Sequence, residues 1–127
     1  MDTSSLKFDS SGLIPAVVVH HETNEVLMLG YMNEEAVRRT ADSGLATFWS
    51  RSRQKFWVKG ETSGQTLNVK FVRTDCDADA LVVGVEPVGP CCHDGYLSCF
   101  YRELREGQWE VVGEPVMTRE QLYGKQA

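Results

Sequence analysis

No stretch of this chain approaches the roughly 18 consecutive apolar residues that a membrane span requires. The N-terminus, MDTSSLKFDSSG, also lacks the cationic start and apolar run of a secretion signal. Those two absences predict a soluble, cytoplasmic protein with no membrane partner. Positive charge is scarce as well: 13 Lys and Arg face 18 Asp and Glu, for a net charge of −5. A general nucleic-acid binder normally carries a basic balance or a large basic face, so that class is disfavoured. Among the 4 cysteines there is no CxxC pair, which removes the usual zinc-ribbon spacing. Without a secretion signal, disulfides are disfavoured too, and reduced thiols or a metal site take their place. Repeats, linkers and low-complexity tracts are missing, and 127 residues with 42% hydrophobic content suit one domain with a single core.

What is present reads mostly as strand. LIPAVVVHH (13–21) and EVLMLGYM (25–32) flank the polar ETN and predict an opening hairpin. Asn33 is placed to cap a helix over EEAVRRTADS, with Glu34 and Glu35 in its first turn and Gly44 to end it. LATFWSRS, KFWVKGE, TLNVKFVRTD and ALVVGVEP follow as strands, with SRQK and TSGQ as turns. SCFYREL and WEVVGEP around REGQ predict a further hairpin, and Thr118 with Gln121 forms a capping box for a short terminal helix. The expected fold is therefore α+β: predominantly antiparallel β with two short helices in a single domain.

Three segments carry candidate chemistry. In TDCDADA, Asp75, Asp77 and Asp79 stand at alternate positions around Cys76. They match positions 1, 3 and 5 of a calcium loop, with Glu86 at position 12. However, Ala80 replaces the required glycine, and the flanks read as β instead of helix. On an extended strand the three carboxylates would share one face and Cys76 would take the other. Such a face suits a hard ion such as Mg²⁺, or else serves as a solvated acidic edge that discourages strand pairing.

The second segment, GPCCHDGYLSCFY (89–101), holds Cys91, Cys92, His93 and Cys99. Three thiolates with an open fourth position would make a catalytic zinc site that acidifies water to a pKa of about 7. Buried unliganded cysteines are the plain alternative. The third, WSRSRQKFWVKGETSG (49–64), concentrates Arg51, Arg53, Lys55 and Lys59 with Trp49 and Trp57. Arginine forks suit phosphates, a tryptophan can stack on a base, and the hydroxyls and backbone amides of the turn add anion contacts. Single-stranded nucleic acid would use the same parts, and a solvated hairpin tip would need none of them.

Taken together and in this order, WSRSRQKFWVKGETSG, DCDAD and GPCCHDGYLSCFY resemble the phosphoribosyl-AMP cyclohydrolase family of histidine biosynthesis. The likeness extends to the GLIPAVV start and the LMLGYMNEEA strand-to-helix junction. The resemblance implies magnesium at Asp75, Asp77 and Asp79, and zinc at Cys76, Cys92 and Cys99. It also implies a homodimer with its metal sites at the interface, each zinc completed by Cys76 of the other chain. The implied substrate is phosphoribosyl-AMP, whose adenine ring opens at the C6–N1 bond to leave a carboxamide. Zinc deaminases attack the same carbon. His93 is the candidate proton shuttle. Trp49, Arg51, Ser52, Arg53, Lys59, Thr62, Ser63 and Gly64 are the candidate substrate contacts. The expected domain is a cyclohydrolase domain over 1–127 without a fused pyrophosphohydrolase. The chain departs from the family pattern at Gln65, Cys91, Asp94, Tyr96 and Leu97, and His20 and His21 receive no role. The competing reading is a zinc-stabilised module that binds nucleotides or single-stranded nucleic acid, and a purely structural metal protein is a third.

Overall fold

A computed structural model describes residues 3–118, 120 and 121. β1 (Ile14–His20) and β2 (Val26–Met32) form the expected opening hairpin, with Asn24 in the left-handed region at the turn. Helix α1 (Glu34–Ser43) begins where Asn33 Oδ1 accepts the Ala36 N–H at 2.8 Å. It ends at Gly44, whose φ of 76° suits glycine and whose N–H returns to the Thr40 carbonyl. Ala36, Val37 and Thr40 face the core. The buried Thr40 hydroxyl accepts the Thr47 N–H at 3.0 Å, fastening α1 to β3 (Thr47–Ser50). β3 pairs with β4 (Lys55–Val58) as a separate two-stranded hairpin.

β5 (Leu67–Thr74) and β6 (Leu81–Pro87) complete a four-stranded sheet in the order β2-β1-β6-β5. The sequence reading of antiparallel pairing fails at one place. β1 and β6 run parallel, with Ala16 opposite Leu81 and His20 opposite Val85. Short turns dictate which neighbouring strands pair, but β1 and β6 are separated by all the intervening elements, so no turn reports on them. Both central strands are nearly continuous aliphatic runs, as strands covered on both faces are. Ile14, Ala16, Val18, Leu27, Phe48, Leu67, Val83 and Val85 form the centre of the core.

β7 (Arg102–Arg105) and β8 (Gln108–Val111) form the last hairpin, closed by Glu106 and Gly107, both at positive φ as a type I′ turn requires. Every residue of both strands is exposed. Two helices were expected, and among the described residues only α1 is a full helix. The Thr118–Gln121 capping box does form, at 2.8 and 3.0 Å, but the rest of the helix it would start lies outside the described residues. No helix among the described residues is long and apolar enough to cross a membrane.

Candidate active site

The DCDAD segment is a loop, not the two-faced strand expected from its alternation. β5 ends at Thr74 and β6 begins at Leu81, and between them Ala78 takes a φ of 59°. Repulsion among neighbouring carboxylates and the poor strand propensity of Asp favour a turn here. The Asp79 N–H bonds back to Asp75 Oδ1 at 3.1 Å, and Lys7 N–H to the Ala78 carbonyl at 2.7 Å ties the N-terminal segment to the loop. The turn gathers what the strand would have aligned: carboxylate oxygens of Asp75, Asp77 and Asp79 lie within 4.8 Å of one another. A hydrogen bond to Asp75, with the charge of that neighbour, raises the Asp79 pKa above the ordinary carboxylate value. Desolvation pushes Asp75 upward, but hydrogen bonds from the Asp79 backbone and side chain outweigh it and hold Asp75 low. Three carboxylate oxygens at this spacing fit a hard divalent cation.

β6 leads from this loop into the cysteine segment. The turn over 91–97 is pinned by Cys91 N–H to the Leu97 carbonyl at 3.0 Å and Cys92 N–H to the Tyr96 carbonyl at 3.1 Å. Cys99 is fixed against β2 by its N–H to the Leu27 carbonyl at 2.7 Å, while the Ser98 hydroxyl donates to the Val26 carbonyl. Cys99 thus lies near enough to Cys91 and Cys92 for their thiols to influence its own. A hydrogen bond from Cys91 lowers the Cys99 pKa to about 6; burial opposes this, and Lys59 and Cys92 assist. The same bond and burial push the Cys91 thiol far up, and burial raises Cys92. Cys92 and Cys99 are thus neighbouring soft donors of the kind zinc takes, although the sulfurs of Cys91, Cys92 and Cys99 are not all gathered within 4.8 Å as the aspartate oxygens are. In zinc-free protein at pH 7, iodoacetamide is expected to alkylate Cys99 well before the buried Cys91, as read by peptide mass spectrometry. Lowering the pH through 6 protonates Cys99 and should slow that labelling.

The 91–97 turn depends on Gly95. Its φ is 92°, and an added Cβ would sit 1.7 Å from the Met117 carbonyl oxygen. The Gly95 carbonyl also accepts the Val116 N–H at 2.8 Å, so backbone would have to move on both sides. Gly95→Ala is expected to destabilise the protein by about 2 kcal/mol or more, measured by urea unfolding.

A cavity of about 410 Å³ joins the cysteine turn to the basic hairpin. Arg53, Lys55, Trp57, Lys59, Thr62 and Ser63 line it, together with Pro90, Cys91, Cys92 and His93. Gly60 also lines it: its φ is 83°, and a Cβ there would meet the Gln65 carbonyl at 2.2 Å. Of the expected substrate contacts, Arg53, Lys59, Thr62 and Ser63 line this cavity. Four others lie outside its lining. Trp49 packs edge-on against Phe56, Arg51 lies over the Tyr31 ring, Ser52 meets the Ser50 hydroxyl, and Gly64 turns the loop with its N–H on the Gly60 carbonyl. Trp57 is the tryptophan that reaches the cavity, with its ring stacked on Phe48. Strand alternation places Lys55 and Trp57 on one side of β4, a signal readable once β4 is located, and Lys59 follows just past its end.

His93 lies at the mouth, with 60% of its side chain exposed and Nε2 3.6 Å from Asp94 Oδ1. It also borders a second opening of about 440 Å³ with Cys92, Cys99, Tyr101 and Arg102. Tyr101 donates to Asp94 Oδ2 at 2.8 Å. Cys76 is exposed in the aspartate loop at the opposite end of β6, about 20 Å of strand from the cysteine turn.

Residues 28–101, more than half of the chain, match the phosphoribosyl-AMP cyclohydrolase family model. A phosphoribosyl-AMP cyclohydrolase of Paracoccus denitrificans is 54% identical over 114 residues, covering 90% of this chain and 94% of its own. One from Pelotomaculum thermopropionicum is 53% identical over 125 residues, covering 98% and 97%. One from Magnetococcus marinus is 46% identical over 124 residues, covering 98% and 96%. With the motif-bearing loops placed as described and likeness along nearly the whole length, this chain belongs to the phosphoribosyl-AMP cyclohydrolase family.

Proposed function

We propose that this protein hydrolyses the C6–N1 bond of the adenine ring in phosphoribosyl-AMP, as a cytoplasmic, zinc-dependent enzyme of histidine biosynthesis. The observation that carries the reading is the cavity that Arg53, Lys55 and Lys59 line together with Cys92 and His93. The substrate has a phosphate at each end and a flat base between them. The three cations bind phosphate, Trp57 supplies a stacking surface for the base, and Thr62 and Ser63 add hydroxyl contacts. Asp75, Asp77 and Asp79 hold magnesium, which screens the same polyanion.

Cys92, Cys99 and Cys76 of a second copy hold the zinc. When bound, zinc supplies acidification of water towards a pKa of about 7 and Lewis acidity. N1 carries the phosphoribosyl group, so the ring is cationic, C6 is electrophilic and N1 can leave. Water adds its oxygen to C6, the C6–N1 bond breaks, and N1 takes up a proton while the exocyclic amine stays as a carboxamide. His93 accepts the water proton and delivers it to N1, with Asp94 beside the ring edge that carries it.

Two features support a homodimer. One is the separation of Cys76 from Cys92 along β6, which one chain does not bridge. The other is the exposed β7–β8 hairpin, where Leu104, Trp109 and Val111 share a face and Trp109 is 70% exposed. A second copy is the occupant that would cover the face and complete the site. The free cysteines suit a reducing compartment.

The test is zinc analysis paired with a phosphoribosyl-AMP ring-opening assay, before and after chelation. About one zinc per chain, activity lost on chelation and activity restored by zinc are expected. Zinc-loaded protein that binds the nucleotide without turning it over would establish the binding-module reading instead.

A further inference from the structure

We propose that His21, Glu22 and Glu86 form a second cation site, for a divalent transition metal, outside the active site. Nε2 of His21 lies 2.8 Å from Glu86 Oε2 and 3.4 Å from Glu22 Oε1, and ligand atoms from all three residues lie within 4.8 Å of one another. A metal with bonds of about 2.0 to 2.2 Å to nitrogen and oxygen spaces tetrahedral ligands roughly 3.3 Å apart. The side chains need only open slightly to admit one.

Two separate pieces of chain build the cluster, the β1–β2 turn and the end of β6, and each is held. The His21 N–H donates to the Val85 carbonyl at 2.9 Å, locking the end of β1 beside β6. The Asn68 side chain donates to the Glu86 carbonyl at 3.4 Å, which ties that residue to β5. The Glu22 N–H donates to His20 Nδ1 at 3.1 Å. The His20 ring stacks on that of His21 with centroids 5.4 Å apart and planes 13° from parallel, which limits rotation of the ligand ring. Because Nδ1 of His20 accepts a hydrogen bond, its neutral ring carries its proton on Nε2. That nitrogen, 3.8 Å from Glu86 Oε2, faces the carboxylate as an outer partner and is not itself a ligand.

One imidazole and two carboxylates, with room for water, suit zinc, cobalt or manganese better than an ion that takes oxygen alone. Two negative charges balance the ion. The site is distinct from both centres already described. Glu86 lies at the far end of β6 from the aspartate loop, about 17 Å along the strand. None of the three residues lines either cavity beside Cys92. A metal here clips the β1–β2 turn to β6 just before the chain enters the Gly89–Pro90 approach to the cysteine turn.

Co²⁺ distinguishes this site from a bare His–Glu ion pair. In equilibrium dialysis of the full chain, the unsubstituted protein should bind one more Co²⁺ than His21→Gln or Glu86→Gln. That ion should add no thiolate-to-cobalt charge-transfer absorption, and Cys92→Ala and Asp77→Asn should keep it. Affinity at the extra site should fall at least about tenfold in either ligand variant. Equal stoichiometry and affinity in both variants would overturn the proposal. As a check free of substitutions, Co²⁺ should protect His21 from diethyl pyrocarbonate in the protein as purified, mapped by mass spectrometry. Unchanged His21 labelling in saturating Co²⁺ would overturn it equally.

Discussion

Alanine at Cys92 or at Cys99 is expected to lower phosphoribosyl-AMP ring opening by at least about a thousandfold, the scale seen when one member of a catalytic unit is removed. Cys92 and Cys99 are two of the three proposed zinc ligands, so loss of either thiol leaves the site incomplete. The backbone that shapes the turn, from Cys91 and Cys92 to Leu97 and Tyr96, does not depend on either thiol. Circular dichroism should therefore stay native while zinc and activity are lost together. Cys91→Ala supplies the contrast. Cys91 is buried at 3% exposure and its thiol is held protonated, so its replacement should keep zinc and lower the rate less than about tenfold. If Cys91→Ala lost zinc and Cys92→Ala kept it, the ligand would be Cys91. If all three variants kept zinc and full rate, the cluster would have no part in the reaction.

Mixing two inactive variants should restore activity. Cys76→Ala and Cys92→Ala are each expected to be inactive alone, because each removes one zinc ligand from both sites of a dimer. A heterodimer brings Cys76 from one chain to Cys92 and Cys99 of the other at one of its two sites. Equal random mixing makes half of the dimers mixed, so about a quarter of full activity should return. The reason lies in β6, which holds Cys76 and Cys92 at opposite ends of a seven-residue strand. Co-refolded chains that stay inactive, alongside active unsubstituted controls, would place the whole site within one chain. Recovery that persists when both substitutions sit in the same chain would exclude zinc ligation by these thiols.

Local signals in the sequence were read correctly wherever the deciding interaction was itself local. Asn33 and Gly44 bound α1 because capping joins residues three or four apart, and Glu106–Gly107 turns the last hairpin because that turn needs two residues at positive φ. The metal-ligand candidates stood out for a related reason: thiols and carboxylates packed so densely in so few residues do nothing for a core. The errors arose where a periodic pattern stood in for a conformation. Alternation in DCDAD suggested a strand, but like charges and the positive φ of Ala78 make it a loop. Runs of strands with short turns suggested antiparallel order throughout, and the β1–β6 pair departed from it.

Substrate contacts were only half legible. The basic, aromatic segment was recognisable as a group, but a hairpin has two sides, and pairing decides which side chains reach the cavity. Trp49 packs on Phe56 while Trp57 lines the cavity that the cysteine turn also lines. The sequence by itself determined the family, the supply of candidate ligands and the local caps and turns, since these rest on residue chemistry and short-range spacing. Only the tertiary structure decided that β6 separates Cys76 from Cys92 and that His21 meets Glu86. Both depend on how strands far apart in the chain are placed, which no local turn reports and which burial of a shared core decides.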